Sequence, residues 1–221
     1  STSDYYMYRQ YQLEKINNVI YSPFGFNSSF YKKIETKKKY DVSFIGGYSP
    51  LRKWIINLLK KEGINVQVFG RGWRNEAAYI SQEQIVEVFN QSKINLNISN
   101  AVYNDFKFLM WAAKSPKNIK QLLLLKKTKE QIKGRHYEIN GCGGFQLSYF
   151  VPGLNLAYEI DKEIAVYEDV KFIPDSITFY LKDEELRNSI ADGGYERSIR
   201  EHSAQRYLKN LVTKITSKNN G

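Results

Sequence analysis

The sequence predicts an α/β protein built on a doubly wound parallel sheet, with a helical C-terminal tail. Three observations carry this expectation. From residue 40 onward, short β-like runs alternate with stretches of helical periodicity. The run YDVSFIGG ends in glycines and passes directly into a helical pattern. After residue 169 the remaining segments all read as helix.

The first strand is YDVSFIGG, and the helix that follows covers residues 50–61. There Leu51, Trp54, Ile55, Leu58 and Leu59 recur on one face, and Pro50 suits the first helical position. INVQVFG supplies a second strand. Ser81 with Gln84 forms a capping-box start for a helix whose Ile85, Val88 and Phe89 share a face. KINLNIS, GFQLSYF and EIAVY supply three more strands, five in all. The segments 175–181, 183–190 and 203–212 are helical, with Asp183 and Ser203 as N-caps. Residues 217–221 look frayed.

Two regions fit the alternation poorly. Residues 1–39 contain VIYSPFGFN, a short strand before a Pro/Gly turn, and read as a lead-in or linker from a preceding domain. Residues 99–129 read as an inserted helical hairpin in which Phe106, Phe108, Leu109, Met110 and Trp111 sit beside many lysines. Core packing explains those aromatics; a lid, a protein contact or a helix at a membrane surface are the alternatives. The domain thus spans 40–202, with the C-terminal helix and tail at 203–221.

With 221 residues, 42% hydrophobic and 14% aromatic, the chain can bury a substantial core, and wholesale disorder is excluded. No apolar run is long enough for a membrane span, and one cysteine cannot form an internal disulfide, which suits a cytoplasmic, reducing setting. A peripheral position at a membrane is compatible with the charge. A net charge of +10 attracts anions, either nucleic acid, lipid headgroups or phosphorylated small molecules. Runs such as Lys37-Lys38-Lys39 and Lys126-Lys127 are ordinarily solvated faces. Seventeen tyrosines among basic residues would allow single-stranded nucleic acid to stack, but no nucleic-acid-binding signature is visible.

Two stretches could hold phosphate. The Gly46-Gly47 turn leads into a helix whose first turns carry Arg52. It is no dinucleotide fingerprint, since a third glycine is missing and the second strand closes with Phe69-Gly70-Arg71-Gly72 instead of an acidic residue. In QIKGRHYEINGCGGF, Lys133 and Arg135 flank a glycine, and a helix beginning near His136 would add its open N–H groups to the two cations. Glu138, one turn further, suits a pair of ribose hydroxyls. Gly141, Gly143 and Gly144 either admit a ligand close to the backbone or simply end the helix. Two histidines and a single cysteine leave a zinc site short of ligands, and Cys142 and His136 point to nearly opposite sides of one helix. Glu159, Asp161 and Glu163 alternate like an acidic metal-binding motif, though a solvated strand edge fits their surroundings better.

The segments YDVSFIGGYSPLRKWIINLL, INVQVFGRGW, SKINLNIS, KGRHYEINGCGGFQLSYFVPGLNLAYEIDKEIAVYED and DEELRNSIADGGYERSIREHSAQRYLKNL, in that order, resemble the C-terminal half of GT-B glycosyltransferases. More narrowly they resemble the spore-maturation-type, glycosyl transferase group 1-like family. The resemblance runs over residues 41–211, apart from the insertion. It implies a Rossmann-like domain that binds a nucleoside-diphosphate sugar such as a UDP or GDP sugar, facing an N-terminal domain that holds the acceptor. By the family pattern Lys133 and Arg135 face the diphosphate, Glu138 the ribose, and the loop of Gly141, Cys142, Gly143, Gly144 and Phe145 the sugar or phosphates. Gly46, Gly47, Gly70 and Arg52 form the opposite wall, and Tyr79 and Ile80 hold the base. Glu130 precedes Glu138 at the separation of two glutamates in related retaining enzymes, although its lysine-rich context is unlike theirs. The resemblance implies transfer without a metal or other cofactor, and a fragment that turns over little without its acceptor domain. The alternatives are a non-catalytic nucleotide-sugar-binding or scaffold module with a basic insertion and, further off, a single-stranded nucleic-acid binder.

Overall fold

In the computed structural model, which describes residues 1–73, 79–101, 104–124 and 129–219, five strands form one sheet. They are β1 (Tyr40–Ile45), β2 (Val66–Phe69), β3 (Ser92–Asn97), β4 (Gln146–Tyr149) and β5 (Ala165–Tyr167). The order is β2-β1-β3-β4-β5, and all four pairings are parallel, with Phe44 opposite Val68 and Leu96, and Leu147 opposite Leu96 and Ala165. Helices α1 (Tyr5–Leu13), α2 (Pro50–Lys61), α3 (Gln82–Gln91), α4 (Phe106–Ala113), α5 (Pro116–Leu123), α6 (Gly134–Gly141), α7 (Leu154–Ala157), α8 (Ile173–Lys182), α9 (Glu184–Glu201) and α10 (Ala204–Asn219) complete the chain. This is the expected Rossmann-like, doubly wound sheet with a helical tail.

The doubling is visible in the strands. Val42 and Phe44 of β1, with Val66 and Val68 of β2, pack with Leu51, Ile55 and Leu59 of α2 and with Ile173 and Ile177 of α8. Ile45 and Phe69 join Val86, Val88 and Phe89 of α3 and Ile139 of α6 in a second cluster. Alternate side chains therefore serve opposite layers. That second layer also holds a polar seam, because the Ser43 and Ser92 hydroxyls lie 2.7 Å apart and Asn95 donates to the carbonyls of Phe89 and Phe145.

Ser49 caps α2 by accepting from the Arg52 amide, with Pro50 behind it, so the helix starts where the sequence says. Ser81 and Gln84 form both halves of the capping box of α3. The side chain of Asp183 accepts from Leu186 N, starting α9.

Four expectations need correction. VIYSPFGFN forms only isolated bridges, Thr2 with Tyr21 and Phe26 with Ser203, because Phe26 hydrogen-bonds the start of the C-terminal helix and no sheet strand. The lead-in carries a helix, α1, that its tyrosine-rich sequence concealed. The acidic alternation at residues 159–163 is a tight turn, with Asp161 at φ 63° and the Glu163 carboxylate accepting from Glu159 N. Among the described residues no acidic or histidine cluster could hold a metal. The helix at 134–141 starts at Gly134, earlier than expected, so Arg135 lies within its first turn. Lys126-Lys127 and Asn220-Gly221 lie outside the described residues.

Gly70 cannot be replaced freely. It sits at φ +133°, and a Cβ there would come within 2.4 Å of the Gly46 carbonyl oxygen, backbone against backbone. Gly70→Ala should lower stability by about 1–3 kcal/mol, read as a reduced urea midpoint with an unchanged m-value.

His202 joins α10 to the body: its Nε2 donates to the Ala157 carbonyl at 2.7 Å, and its Nδ1 accepts from the Tyr207 hydroxyl. Burial, with Arg197 and Arg200 nearby, holds its pKa below the ordinary 6.5. Below pH 6.5 the unfolded chain then binds more protons than the folded one, so stability should fall as pH drops through that value and level off above it. His202→Gln should flatten this dependence in urea titrations run across the same range.

Candidate functional site

In a parallel sheet of this order the chain departs from β1 toward opposite sides, to β2 and to β3, and ligands settle at the carboxyl ends where it does so. At that edge Gly46 N–H donates to the Phe69 carbonyl and Tyr48 N–H to that of Arg71, while the Trp73 indole donates to the Gly46 carbonyl at 2.8 Å. The Gly46-Gly47 turn is therefore in the expected place, but the amides of Gly46 and Tyr48 are turned into the protein.

Arg52 is likewise at the edge and committed. Its Nε and Nη2 donate to the Ile98 carbonyl at 3.2 and 2.9 Å, and its Nη1 donates to the Gly47 carbonyl at 2.8 Å. The guanidinium lies 5.2 Å from the centre of the Phe44 ring. It ties the end of β1 to the end of β3. Burial brings its pKa down to about 10, so it stays charged at neutral pH. The carbonyl it takes, that of Ile98, adjoins Ser99, to which Glu130 hydrogen-bonds.

The first turn of α6 holds the rest. Lys133 N–H donates to Nδ1 of the buried His136 at 3.1 Å, a reciprocal cap that fixes where the helix begins. Arg135 Nη1 and Glu138 Oε2 form an ion pair of 2.9 Å with side chains 26% and 22% exposed, and the Arg135 guanidinium lies 5.1 Å from the Phe89 ring. The Glu138 carboxylate folds back over Gly134, where a Cβ would approach its Oε1 to 3.2 Å. Lys133 Nζ donates to Asn100 Oδ1 at 2.5 Å. Glu130 hydrogen-bonds Ser99 Oγ just beyond β3. Lys133, Arg135, Glu138 and Glu130 thus lie at one end of α6, at the carboxyl edge.

Tyr79 is exposed with its hydroxyl 3.3 Å from Arg71 Nη2, and Ile80 packs on the α3 side of the core.

The loop of residues 141–145 is at the wrong end for a ligand. It follows the C-terminus of α6 and feeds the amino end of β4, where Asn95 N–H donates to the Phe145 carbonyl. Its glycines have packing reasons: a Cβ on Gly141 would strike the Phe26 ring at 2.5 Å, and one on Gly144 would meet Asn95 Nδ2 at 2.7 Å. Cys142 and Phe145 are buried. Gly141, Cys142, Gly143, Gly144 and Phe145 therefore stand apart from the carboxyl edge.

Sequence reasoning missed Tyr31, whose pKa is raised by burial and then by the charge of the nearby Glu138 carboxylate. It also missed Ser99 and Asn100, which seat Glu130 and Lys133. Lys117 Nζ stands 4.6 Å from the Tyr48 ring centre, and the Tyr48 hydroxyl donates to the buried Asn118, so the start of α5 forms one wall at the Gly47 turn.

A family model described as glycosyl transferase-like matches residues 52–213. No curated protein matches the sequence. Among solved structures the chain is similar to sucrose-phosphate synthase from Thermosynechococcus elongatus, with TM-score 0.63 and 11% identity over 96% of this chain and 57% of that one. It is similar to a glycosyltransferase from Rickettsia africae ESF-5, with TM-score 0.66 and 10% identity over 96% and 61%. It is also similar to the pneumococcal O-GlcNAc transferase GtfA in complex with UDP and GlcNAc, with TM-score 0.53 and 12% identity over 95% and 43%. The chain spans less than two thirds of each, and at these identities the likeness is one of fold.

The thiol of Cys142 is fully buried, and burial pushes its pKa up to about 12. It should resist Ellman's reagent at pH 8 in the native protein and react at once in denaturant. A fast native reaction would mean that the end of α6 opens to solvent.

Proposed function

Because the chain belongs to the glycosyl transferase-like family and has the Rossmann-like fold of GT-B glycosyltransferase domains, we propose that it is the donor half of a glycosyltransferase. In this reading it binds a nucleoside-diphosphate sugar and belongs to the spore-maturation-type branch, with an N-terminal domain supplying the acceptor. The observation that carries the reading is the meeting of Arg135 and Glu138 across the first turn of α6, at the carboxyl edge of the sheet.

Glycosyl transfer breaks the bond between the anomeric carbon and the diphosphate oxygen, so negative charge grows on the leaving phosphate. Arg135, Lys133 and the first amides of α6 can receive that charge without a metal. Glu138, held by Arg135, is set to accept from two ribose hydroxyls. The Gly47 turn, Gly70 and Arg52 supply the far wall and a fixed positive field, with Tyr79 and Ile80 beside the base. Glu130, seated by Ser99 at the end of β3, is assigned to the sugar side.

Titration calorimetry with UDP and GDP tests this. UDP is the first choice, since a structural neighbour holds it. Arg135→Ala and Glu138→Gln should each weaken binding about ten- to a hundred-fold, the range for hydrogen bonds to charged groups. Cys142→Ser should leave affinity unchanged, and so should EDTA. A folded protein that binds neither nucleotide, or variants as tight as the parent, would count against the donor site.

A further inference from the structure

We propose that the outer face of α2 and α4 docks on an anionic membrane surface. A groove of about 890 Å³ runs between these helices. Trp54, Phe106, Met110 and Trp111 give it apolar walls, and the exposed Lys60, Lys61, Lys107 and Lys114 stand around it. Among the described residues no carboxylate lines it.

Helix α4 explains why the groove is open. Phe108 and Ala112, four apart, are buried and hold the helix to the body. Phe106, Leu109 and Met110, at the i, i+3, i+4 spacing of another face, are 73%, 45% and 52% exposed. A two-turn helix thus turns three large apolar chains to water in the company of lysines. Contiguous apolar surface of this kind marks an interaction site.

The charge selects the occupant. Lysine stems lie along apolar surface while their ammonium groups reach outward to phosphate, and tryptophan favours the level of the headgroups. A folded protein partner is normally placed by directional polar contacts. Here, among the described residues, Asn57 is the only side-chain amide or hydroxyl lining the groove, beside four lysines. An anionic bilayer needs no such register: shallow apolar burial and a field of lysines are sufficient. Among the described residues no helix is long and apolar enough to cross a membrane, so the contact lies on the surface of the bilayer. This inference is independent of the donor site.

Co-sedimentation of the chain with phosphatidylcholine vesicles, plain or with about a third phosphatidylglycerol, tests it. The expected result is binding to the anionic vesicles only, with partition falling about five-fold for each charge removed by Lys107→Gln and Lys114→Gln. Lys209→Gln with Lys214→Gln, the same loss of charge on α10, should change partition by less than about two-fold, because those lysines lie off the contact. Phe106→Ser with Met110→Ser, at exposed positions that leave folding intact, should weaken binding at high salt most, where the apolar part carries it. Equal effects of the two lysine pairs would reduce the attraction to net charge and overturn the proposal. So would equal binding to neutral vesicles, no binding to either, or tighter capture by an acidic polypeptide through the same residues.

Discussion

The constraint on which this structure depends is the satisfaction of backbone groups at the carboxyl edge of an all-parallel sheet. Where strands stop, carbonyls and amides lose their ladder partners in a half-buried place, and an unpaired group there is costly. The protein answers with long side chains. Arg52 takes the carbonyls of Gly47 and Ile98, Trp73 that of Gly46, Tyr149 that of Gln131, and Tyr167 that of Asn97. This seals β1, β3 and the approach to β4 into a fixed rim. Arg52, one of the cations the sequence offers for phosphate, is occupied with this task.

Against that rim the first turn of α6 is different. His136 N–H donates to the Lys133 carbonyl and Lys133 N–H to His136 Nδ1, and the two charged side chains Arg135 and Glu138 face each other across the surface. A pair about a quarter exposed contributes little to stability. Its effect is on geometry: it fixes the Glu138 carboxylate against Gly134 at the start of the helix. In the same pair the Glu138 carboxylate offsets the charge of Arg135. Lys133, drawn toward Asn100, leans to the β3 side of the same opening.

The sheet was legible because its signals are local. Ser49-Pro50 and the Ser81/Gln84 box set helix starts that need no tertiary help, and the glycines after β1 announce its end. What failed was whatever depended on distant partners. Nothing near Tyr31 in the sequence announces its nearness to Glu138, over a hundred residues away, and α1 has no buried residue to give it a periodic signature. The glycines at 141–145 were ambiguous for a physical reason, since a backbone crowded by Phe26 and Asn95 selects the same residue as one crowded by a ligand. Only the direction of α6 separates the cases. It places Glu138 at the carboxyl edge and the glycines at the other end of the sheet.

The insertion links two regions that the sequence treats separately. Its inner side reaches the site, where Asn118 accepts from the Tyr48 hydroxyl and Lys117 stands over the Tyr48 ring, one residue past the Gly47 turn. Its outer side is α4, seated on α2 through Phe108 against Trp54. Helix α2 itself begins at Ser49 and carries Arg52, so the groove-lining helix and the rim of the site share one rigid element. A surface bound at α4 would therefore hold the opening at a fixed height and tilt. Flexible tethering could not do this, because every link from the groove to Gly47 is a packed side chain or a helix.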